Sequence, residues 1–314
     1  MTDQERHRRG IGYGLAAYAL WGAVPLFWPL VSRASALELL AQRVIWSLVI
    51  CVILLLTVVR AQDARSARRG WWARTGNRRS LILLAGAATV VSVNWGTYIW
   101  AVNHGHVVET SLGYYINPIL SILVGVIFLR ERLAPLQWVS VGLAGLAVVV
   151  LTVDYGRLPW IALVLATTFA TYGVIKKRVN GGAVETLTVE SALLTPVALG
   201  YLGYLQLTGA LTFGHLGWSH TLLLVATGLV TVVPLLFFAA AATRLPLSTL
   251  GLVQYVAPTL AFLLGVLYFR ESMSAGRWIS FGLVWLALII LTAYGLRQAR
   301  LARRPIPERV AEPV

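Results

Sequence analysis

The feature that most constrains this chain is a series of ten nearly uncharged runs, each about 20 residues long, which is the length of a helix that crosses a bilayer. They lie near residues 11–31, 37–59, 81–102, 107–129, 136–153, 158–175, 187–207, 221–242, 247–269 and 278–296. Backbone that faces lipid must satisfy its own hydrogen bonds, and the runs lack the alternating pattern of a membrane β-barrel. The sequence therefore predicts an all-α integral membrane protein with ten transmembrane helices.

Composition supports a bilayer as the surroundings of the chain. Hydrophobic residues make up 58% of the sequence and charged residues 12%, whereas soluble domains are about a quarter charged. The segments between runs are mostly short, and no soluble domain fits between them. The single cysteine, Cys51, excludes a disulfide framework and a cysteine-based zinc site. We expect no cofactor, and we interpret His104 and His106 as a solvated turn rather than a metal site.

The net charge of +14 is distributed as a topology signal. When the loops are assigned alternately to the two sides, 21 of the 26 Lys and Arg residues fall on one side and four on the other. The positive-inside rule then places both termini in the cytoplasm. Because the basic residues are spread over many loops, a nucleic-acid partner is not expected. Residues 1–10 form a basic cytoplasmic N-terminus, and residues 298–314 form a basic tail that we expect to be disordered.

The chain contains an internal repeat with an offset of 140 residues. Residues 111–152 align with 251–292 without a gap, and 17 of the 42 pairs are identical, including Pro118 with Pro258. Weaker matches upstream join 19–22 with 170–173 and 36–38 with 183–185. The sequence thus predicts two five-helix halves, residues 11–156 and 157–297. Since five is odd, the second half must have the opposite orientation in the membrane.

Inverted repeats are typical of secondary transporters, in which two halves open alternately to the two sides of the membrane. The sequence has no nucleotide-hydrolysis motif and no pairing of a nucleophile with a base, so it predicts gradient-driven transport, by protons or by exchange, and no enzymatic activity. The expected partner is a small-molecule substrate. Alternatives are a channel, or an intramembrane enzyme or scaffold without coupled transport.

Motifs in the first four runs resemble a known family. They are WGAVP at 21–25, LELLAQRVIWS at 37–47, NWGTYIWAVNHGH at 94–106, and SLGYYINP at 111–118 followed by FLRE at 128–131. The chain is similar to the RarD group, the chloramphenicol-sensitive proteins, of the EamA family in the drug/metabolite transporter superfamily. The resemblance implies a ten-helix carrier of the bacterial inner membrane with two inverted EamA repeats. It does not imply a substrate, and drug transport does not follow from the name.

Charged residues inside predicted spans are candidates for the site. Arg43 lies within the second run, where a charge is stable only if it faces protein or water. It could bind a carboxylate or phosphate of the substrate, or it could reach the interface or pair with Glu38 or Glu190. Glu190, in the seventh run, is the main candidate for the coupling proton, and Glu38 is a second.

Two prolines at repeat-equivalent positions, Pro118 and Pro258, predict helix breaks, which in transporters often mark the binding site, although prolines also shape packing alone. Polar and aromatic groups near them complete the predicted substrate site. With Arg43, the predicted substrate-binding residues are Trp21, Asn94, Tyr98, Tyr114, Asn117, Tyr172, Gln254 and Tyr255. The aromatic residues could stack a planar substrate or form an interface belt. Small residues four apart in the fourth and ninth runs predict close helix packing, within the chain or in a homodimer.

Overall fold

The computed structural model describes residues 3–61, 77–129, 133–179 and 182–302. These residues form helices joined by turns, and no strand occurs among them. Most of the predicted C-terminal tail and the loop that contains Glu131 lie outside the described residues. Residues 298–302, at the beginning of the predicted tail, lie at the end of the last helix.

The first half of the chain contains five long helices. They are α1 (Asp3–Ala23), α2 (Ala36–Ala61), α3 (Arg78–Asn103), α4 (Val107–Leu129) and α5 (Pro135–Tyr155). Two short 3-10 turns, Val24–Leu26 and Trp28–Val31, follow α1, and each has a proline in its first two positions. Proline fixes the backbone angle φ and removes a donor, so the α-helix ends where these prolines begin.

The second half repeats this series. Its helices are α6 (Trp160–Lys177), α7 (Ala183–Leu207), α8 (Trp218–Ala242), α9 (Leu247–Val253), α10 (Val256–Leu263) and α11 (Ala275–Ala302). A π-helical turn, Leu264–Tyr268, follows α10. Together α9, α10 and this turn occupy the ninth apolar run, and we call them the ninth span.

Among the described residues, six helical segments are long and apolar enough to cross a membrane, and α6 is a shorter apolar helix. The six are α2, α3, α5, α8, the ninth span and α11. Many large apolar side chains point away from the protein, for example Val153 at 79% and Val197 at 73% exposure. An apolar outer surface of this kind needs lipid around it.

The packing of the helices follows a twofold pattern. Three contacts join helices at equivalent positions of the two halves: α2 with α7, α4 with the ninth span, and α5 with α11. The remaining main contacts come in matched pairs. The contact of α1 with α8 matches that of α6 with α3, and α1 with α10 matches α6 with α4. This is the pattern expected when two similar halves exchange places by a rotation about one axis.

Glycines permit the closest of these crossings. A Cβ atom on Gly22 of α1 would lie 2.9 Å from the carbonyl oxygen of Ala257, and one on Gly113 of α4 would lie 2.9 Å from that of Ala162. A Cβ atom on Gly228 of α8 would lie 2.6 Å from the backbone carbonyl carbon of Trp46. Any side chain at these positions would push the helices apart, because packed backbone cannot yield as a flexible side chain does.

The two repeat-equivalent prolines have different effects. Pro118 lies inside α4, which continues from Val107 to Leu129. The ninth span is divided at Gln254 and Tyr255, and Pro258 follows that division as the third residue of α10. The prediction of matching breaks therefore needs a correction at Pro118, where the helix accommodates the missing donor without ending.

Candidate functional site

Arg43 is the eighth residue of α2, about 10 Å along the helix from its first residue at 1.5 Å per residue. Its side chain is buried, at 7% exposure, and so does not reach the interface. The guanidinium carbon lies 3.9 Å from the ring centroid of Trp95 and 5.8 Å from that of Trp28. Cation–π contacts of this kind stabilise a desolvated arginine by about 2 kcal/mol or more.

The carboxylates that the sequence suggested as partners of Arg43 are engaged elsewhere. Glu38, at 1% exposure, accepts hydrogen bonds through Oε1 from the backbone and hydroxyl of Thr212 and from the backbone of Phe213, at 2.9 to 3.2 Å. Among the described residues, no ion pair or hydrogen bond involves the Arg43 guanidinium. Arg43 is thus a buried cation without a carboxylate partner in the described part of the chain.

Asn94 of α3 lies next to Trp95 and organises the polar groups on this side of the protein. Its amide nitrogen donates to the carbonyl of Leu165 and to the hydroxyl of Thr168, both at 2.9 Å, and its oxygen accepts from the Tyr114 hydroxyl at 3.1 Å. Tyr98 packs edge-on against Tyr114 at 5.8 Å. Both tyrosines interact electrostatically with Arg43. Three predicted site residues, Asn94, Tyr98 and Tyr114, are therefore brought together beside Arg43.

Glu190 of α7 belongs to a separate cluster. Its carboxylate accepts from the Lys176 ammonium at 2.7 Å and from the Tyr172 hydroxyl at 3.1 Å. Lys176 also donates to Thr186, one helical turn before Glu190. Glu190 is 1% exposed, whereas the Lys176 side chain is 23% exposed. The structure thus places Glu190 in an ion pair that is open to the surroundings on the lysine side.

The other predicted residues lie around the interface between the halves. Trp21 packs on Phe238 of α8, with ring centroids 5.8 Å apart. Tyr255 stacks on Tyr115 at 6.5 Å, and Gln254 lies at the division of the ninth span. Asn117 is half-buried, and its side-chain oxygen has no hydrogen-bond partner among the residues that the structure describes. Within the described part of the chain, no ring contact or hydrogen bond joins any of these residues to Arg43.

Carboxylates tie the two halves together at the predicted external ends of the helices. Glu109 of α4 accepts from the backbone of Ile161 at 3.2 Å and pairs with Arg157 at 3.3 Å. Glu271, which follows the ninth span, accepts from the backbone of Val107 at 2.5 Å and of Val108 at 3.1 Å. Glu271, a residue of the second half, therefore caps the N-terminus of α4. The helix dipole favours a negative charge at that end of the helix.

The contacts at the opposite ends of the helices are made by arginines. Arg6 donates to the carbonyl of Thr243 at 3.2 Å, and the guanidinium of Arg244 lies 5.2 Å from the ring centroid of Tyr13. These groups are exposed or half-buried, whereas Glu38 and Glu109 are buried. Burial strengthens polar contacts, so the contacts of Glu38 and Glu109 at the predicted external ends are stronger than these arginine contacts at the predicted cytoplasmic ends.

A cavity of about 370 Å³ opens at the predicted external ends of α5 and α11. Arg157 and Arg277 both lie over the ring of Tyr155, at 5.2 and 4.7 Å, and Asp154 accepts from Ser274 at 2.5 Å. Ser274 in turn accepts from the backbone of Arg277 in the first turn of α11. These groups join the ends of two helices, and we interpret the cluster as structural.

Sequence reasoning missed several of these residues. Lys176 counted only as a loop cation in the topology signal, although Tyr172 and Lys176 lie four residues apart and so share a helix face. Trp28 lies near the end of a run and fitted an interface belt, yet it is fully buried against Arg43. Glu109 and Glu271 carried no signal for their contacts with backbone groups, which depend on how distant segments pack.

Comparison with known proteins now identifies the family. The model of the EamA-like transporter family matches the chain twice, over residues 8–153 and 158–293. The chain belongs to the EamA-like transporter family. The double match covers nearly all of the helices described above, so the EamA chain is a multi-pass membrane protein of the transporter class.

Relatives within the family agree. The EamA chain is 54% identical to Protein RarD of Streptomyces exfoliatus over 305 residues, which cover 96% of this chain and 94% of that one. It is 41% identical to Protein RarD of Escherichia coli, with 92% and 95% covered. The predicted resemblance to RarD-type EamA proteins is therefore confirmed. A solved crystal structure with 21% identity covers 94% of this chain and 99% of its own at a TM-score of 0.54, which supports the fold.

Proposed function

We propose that this EamA protein is a secondary transporter that moves a small organic molecule across the bacterial inner membrane by alternating access. In this proposal residues 11–156 and 157–297 are inverted five-helix halves, with ten spans in all and both termini in the cytoplasm. A proton gradient or exchange of solutes drives transport.

The observation that carries the proposal is the matched packing of the two halves. Each half meets the other through equivalent helices, and glycines bring α1 against α10 and α4 against α6. Two similar bodies joined through such an interface can rock about it, so that a site between them opens to one side at a time. A helix-capping contact such as that of Glu271 can be released and remade during this motion without unfolding either half.

The buried groups supply what a carrier site requires. Arg43 provides a charge, and Asn94, Tyr98 and Tyr114 provide polar groups on neighbouring helices. The ion pair of Glu190 with a lysine provides a carboxylate whose ionisation can respond to a proton gradient. The carboxylate ties at the external ends, made by Glu38, Glu109 and Glu271, support a conformation that is closed to the outside.

Transport is tested with purified protein. A thermal-shift screen against a metabolite library selects a ligand, and proteoliposomes are then assayed for counterflow of that ligand. A carrier accumulates labelled ligand against unlabelled ligand inside the vesicle, whereas a channel passes it downhill without counterflow. Flux without counterflow would contradict the proposal.

The inverted arrangement is tested separately. Single cysteines in a Cys51→Ser background, Leu133→Cys near Arg130 and Ser272→Cys near Arg270, are exposed to a membrane-impermeant maleimide in intact cells and in inverted vesicles. We expect Ser272→Cys to react from outside and Leu133→Cys from the cytoplasmic side. Reaction of both from one side would contradict inversion.

A further inference from the structure

Three buried donors around Arg43 lack acceptors within the described part of the chain, and their arrangement deepens the proposed function by indicating the substrate class. They are Nε of Arg43, Nε1 of Trp28 and the hydroxyl of Ser47. The side chains of Trp28 and Ser47 are fully buried, and Arg43 is 7% exposed. A buried polar group without a partner costs about 1–3 kcal/mol, so three such groups together indicate an acceptor that the described part of the chain does not supply.

These donors belong to one region. Arg43 and Ser47 are four residues apart in α2 and so lie on the same face, one turn from each other. The Arg43 guanidinium lies 5.8 Å from the centre of the Trp28 ring. Stacking on Trp95 uses the flat face of the guanidinium and leaves its N–H groups free in the plane of the group. A carboxylate matches that edge, because it accepts two parallel N–H bonds.

The charges nearby indicate a single negative charge on the ligand. Arg43 is one buried cation, and the cation of the separate Glu190 cluster, Lys176, is already paired with Glu190. Glu38 leaves its Oε2 without a partner, but its Oε1 accepts three hydrogen bonds, and no ion pair within the described ranges joins it to Arg43. A doubly charged phosphate would bring one charge more than this site compensates.

The surroundings of Arg43 indicate an organic ligand. Two indole rings contact the guanidinium, and the rings of Tyr98 and Tyr114 lie on the neighbouring helices α3 and α4. Aromatic side chains of this kind bind the apolar body of a small molecule while a few polar groups fix its orientation. A simple inorganic ion would leave these rings without a role.

We propose that Arg43, Trp28 and Ser47 bind the carboxylate of an organic monocarboxylate, with Trp95 holding the guanidinium in place and the tyrosines flanking the apolar part. Accepting from all three donors satisfies groups that are otherwise unpartnered. The ligand is thus recognised by one carboxylate on an apolar or aromatic body.

The test measures binding to the purified full-length protein by isothermal titration calorimetry. The probes are benzoate, its uncharged analogue benzamide, phenyl phosphate and chloride. We expect benzoate to bind, benzamide and chloride not to bind, and phenyl phosphate to bind at least tenfold more weakly than benzoate. Arg43→Gln should abolish benzoate binding. Trp28→Phe, which keeps a ring and removes the N–H, and Ser47→Ala should each weaken it by about fivefold, the effect of one hydrogen bond.

Arg33→Gln is the matched control, because it removes an exposed arginine from the turn before α2 and should leave benzoate affinity unchanged. If Arg43→Gln does not fold, Arg43→Lys keeps the charge and loses the planar edge, and it should weaken benzoate binding at least tenfold, a loss of roughly one charge-assisted hydrogen bond. Unchanged benzoate affinity in a folded Arg43 variant, or tighter binding of phenyl phosphate or chloride, would overturn the monocarboxylate site.

Failure of this site is distinguishable from failure of the proposed function. Suppose that a different ligand from the library shows counterflow and that Leu133→Cys and Ser272→Cys label from opposite sides. This result would support the transporter proposal and contradict the monocarboxylate site. Benzoate binding without counterflow would support the monocarboxylate site and contradict the transporter proposal.

Discussion

The helices α2 and α7 are repeat equivalents that carry opposite charges at the same position. Each begins with alanine, at Ala36 and Ala183, has glutamate as its third residue, and has its buried charge as its eighth residue. That charge is Arg43 in α2 and Glu190 in α7. In the proposed inverted arrangement α2 starts at the external side and α7 at the cytoplasmic side, so the two charges lie at similar depths from opposite faces.

The surroundings of these two charges differ. Glu190 is compensated by Lys176 and Tyr172, which the preceding helix α6 provides. Arg43 meets two indole rings, and no described carboxylate pairs with it. A compensated charge is stable without a ligand, whereas an uncompensated one is stabilised further when an anion arrives. The comparison therefore favours substrate binding at α2 and ion coupling at α7.

The largest effect is expected from removing the uncompensated charge. Arg43→Ala should lower the rate of transport at least 100-fold, because a substrate anion would then enter a buried site without a counter-charge; a factor of 100 is about 2.7 kcal/mol. Counterflow in proteoliposomes measures the rate, and Arg33→Ala, an exposed arginine, serves as the control. The amount of protein in the membrane should remain nearly unchanged. Retained flux in Arg43→Ala would remove Arg43 from the substrate site.

The compensated charge should affect coupling rather than binding. Glu190→Gln should abolish accumulation driven by a proton gradient, because the amide cannot take up and release a proton, while exchange of substrate across the membrane continues. Uptake with and without a pH gradient, compared with exchange in the same vesicles, separates the two activities. Normal accumulation by this variant would remove Glu190 from the coupling mechanism.

The pair formed by Glu190 and Lys176 should also contribute to stability. Lys176→Met leaves Glu190 buried without its partner, and breaking a buried pair in this way costs about 3 kcal/mol. The double variant Lys176→Met with Glu190→Gln removes both charges and should recover most of that loss. Denaturant unfolding in detergent measures the three variants. Additive losses in the double variant would show that the two groups do not act as a pair.

The apolar runs, the repeat and the positions of Arg43 and Glu190 were predictable, because long uncharged runs and a charge within them are local features of the sequence. The partners of these charges were harder to predict from the sequence. Lys176 lies at a helix end, where the topology rule explains any lysine. Trp28 is buried because the 3-10 turns after α1 direct it inward, and neither turn has a simple periodic signal. Contacts between distant segments depend on tertiary packing, which one sequence does not report.

The N-terminus of α4 extends the comparison to the contacts between the halves at the predicted external ends. Glu271 caps α4, and removing a cap of this kind costs roughly 1 kcal/mol, about fivefold in an equilibrium. Glu271→Ala should therefore increase external maleimide labelling of Ser111→Cys, a buried position one turn inside the N-terminus of α4, by about fivefold. The background is Cys51→Ser. Unchanged labelling would show that the cap does not hold the external side closed.

The smallest effect is the pH dependence of this cap. Burial raises the pKa of Glu271 above its ordinary value, and Glu109 adds to this, although the backbone N–H groups of Val108 and Val107 and the charge of Arg277 oppose it. Glu271 has this raised pKa in the closed conformation, so the closed conformation binds the proton more tightly than the open one. A lower external pH should therefore favour closure, and closure should weaken as the pH rises through the raised pKa. Because maleimide reacts with the thiolate, the rate at each pH is divided by that of a free thiol such as N-acetylcysteine. The corrected labelling of Ser111→Cys should decrease a few-fold on acidification.

Glu271→Gln is the variant that isolates this effect, because its amide still accepts from α4 but does not ionise. After the same correction for thiol ionisation, it should label at a low rate that stays constant across this pH range. His106 titrates nearby, since burial and the neighbouring Arg157 lower its pKa, and the series is therefore repeated with His106→Gln. A pH response that persists in Glu271→Gln and vanishes in His106→Gln would assign the response to the turn before α4 instead of to the cap. A pH response that is lost in Glu271→Gln would show that a carboxylate of the second half controls closure at the predicted external side. This carboxylate acts on α4, and α9, the equivalent helix of the second half, need not be controlled in this way.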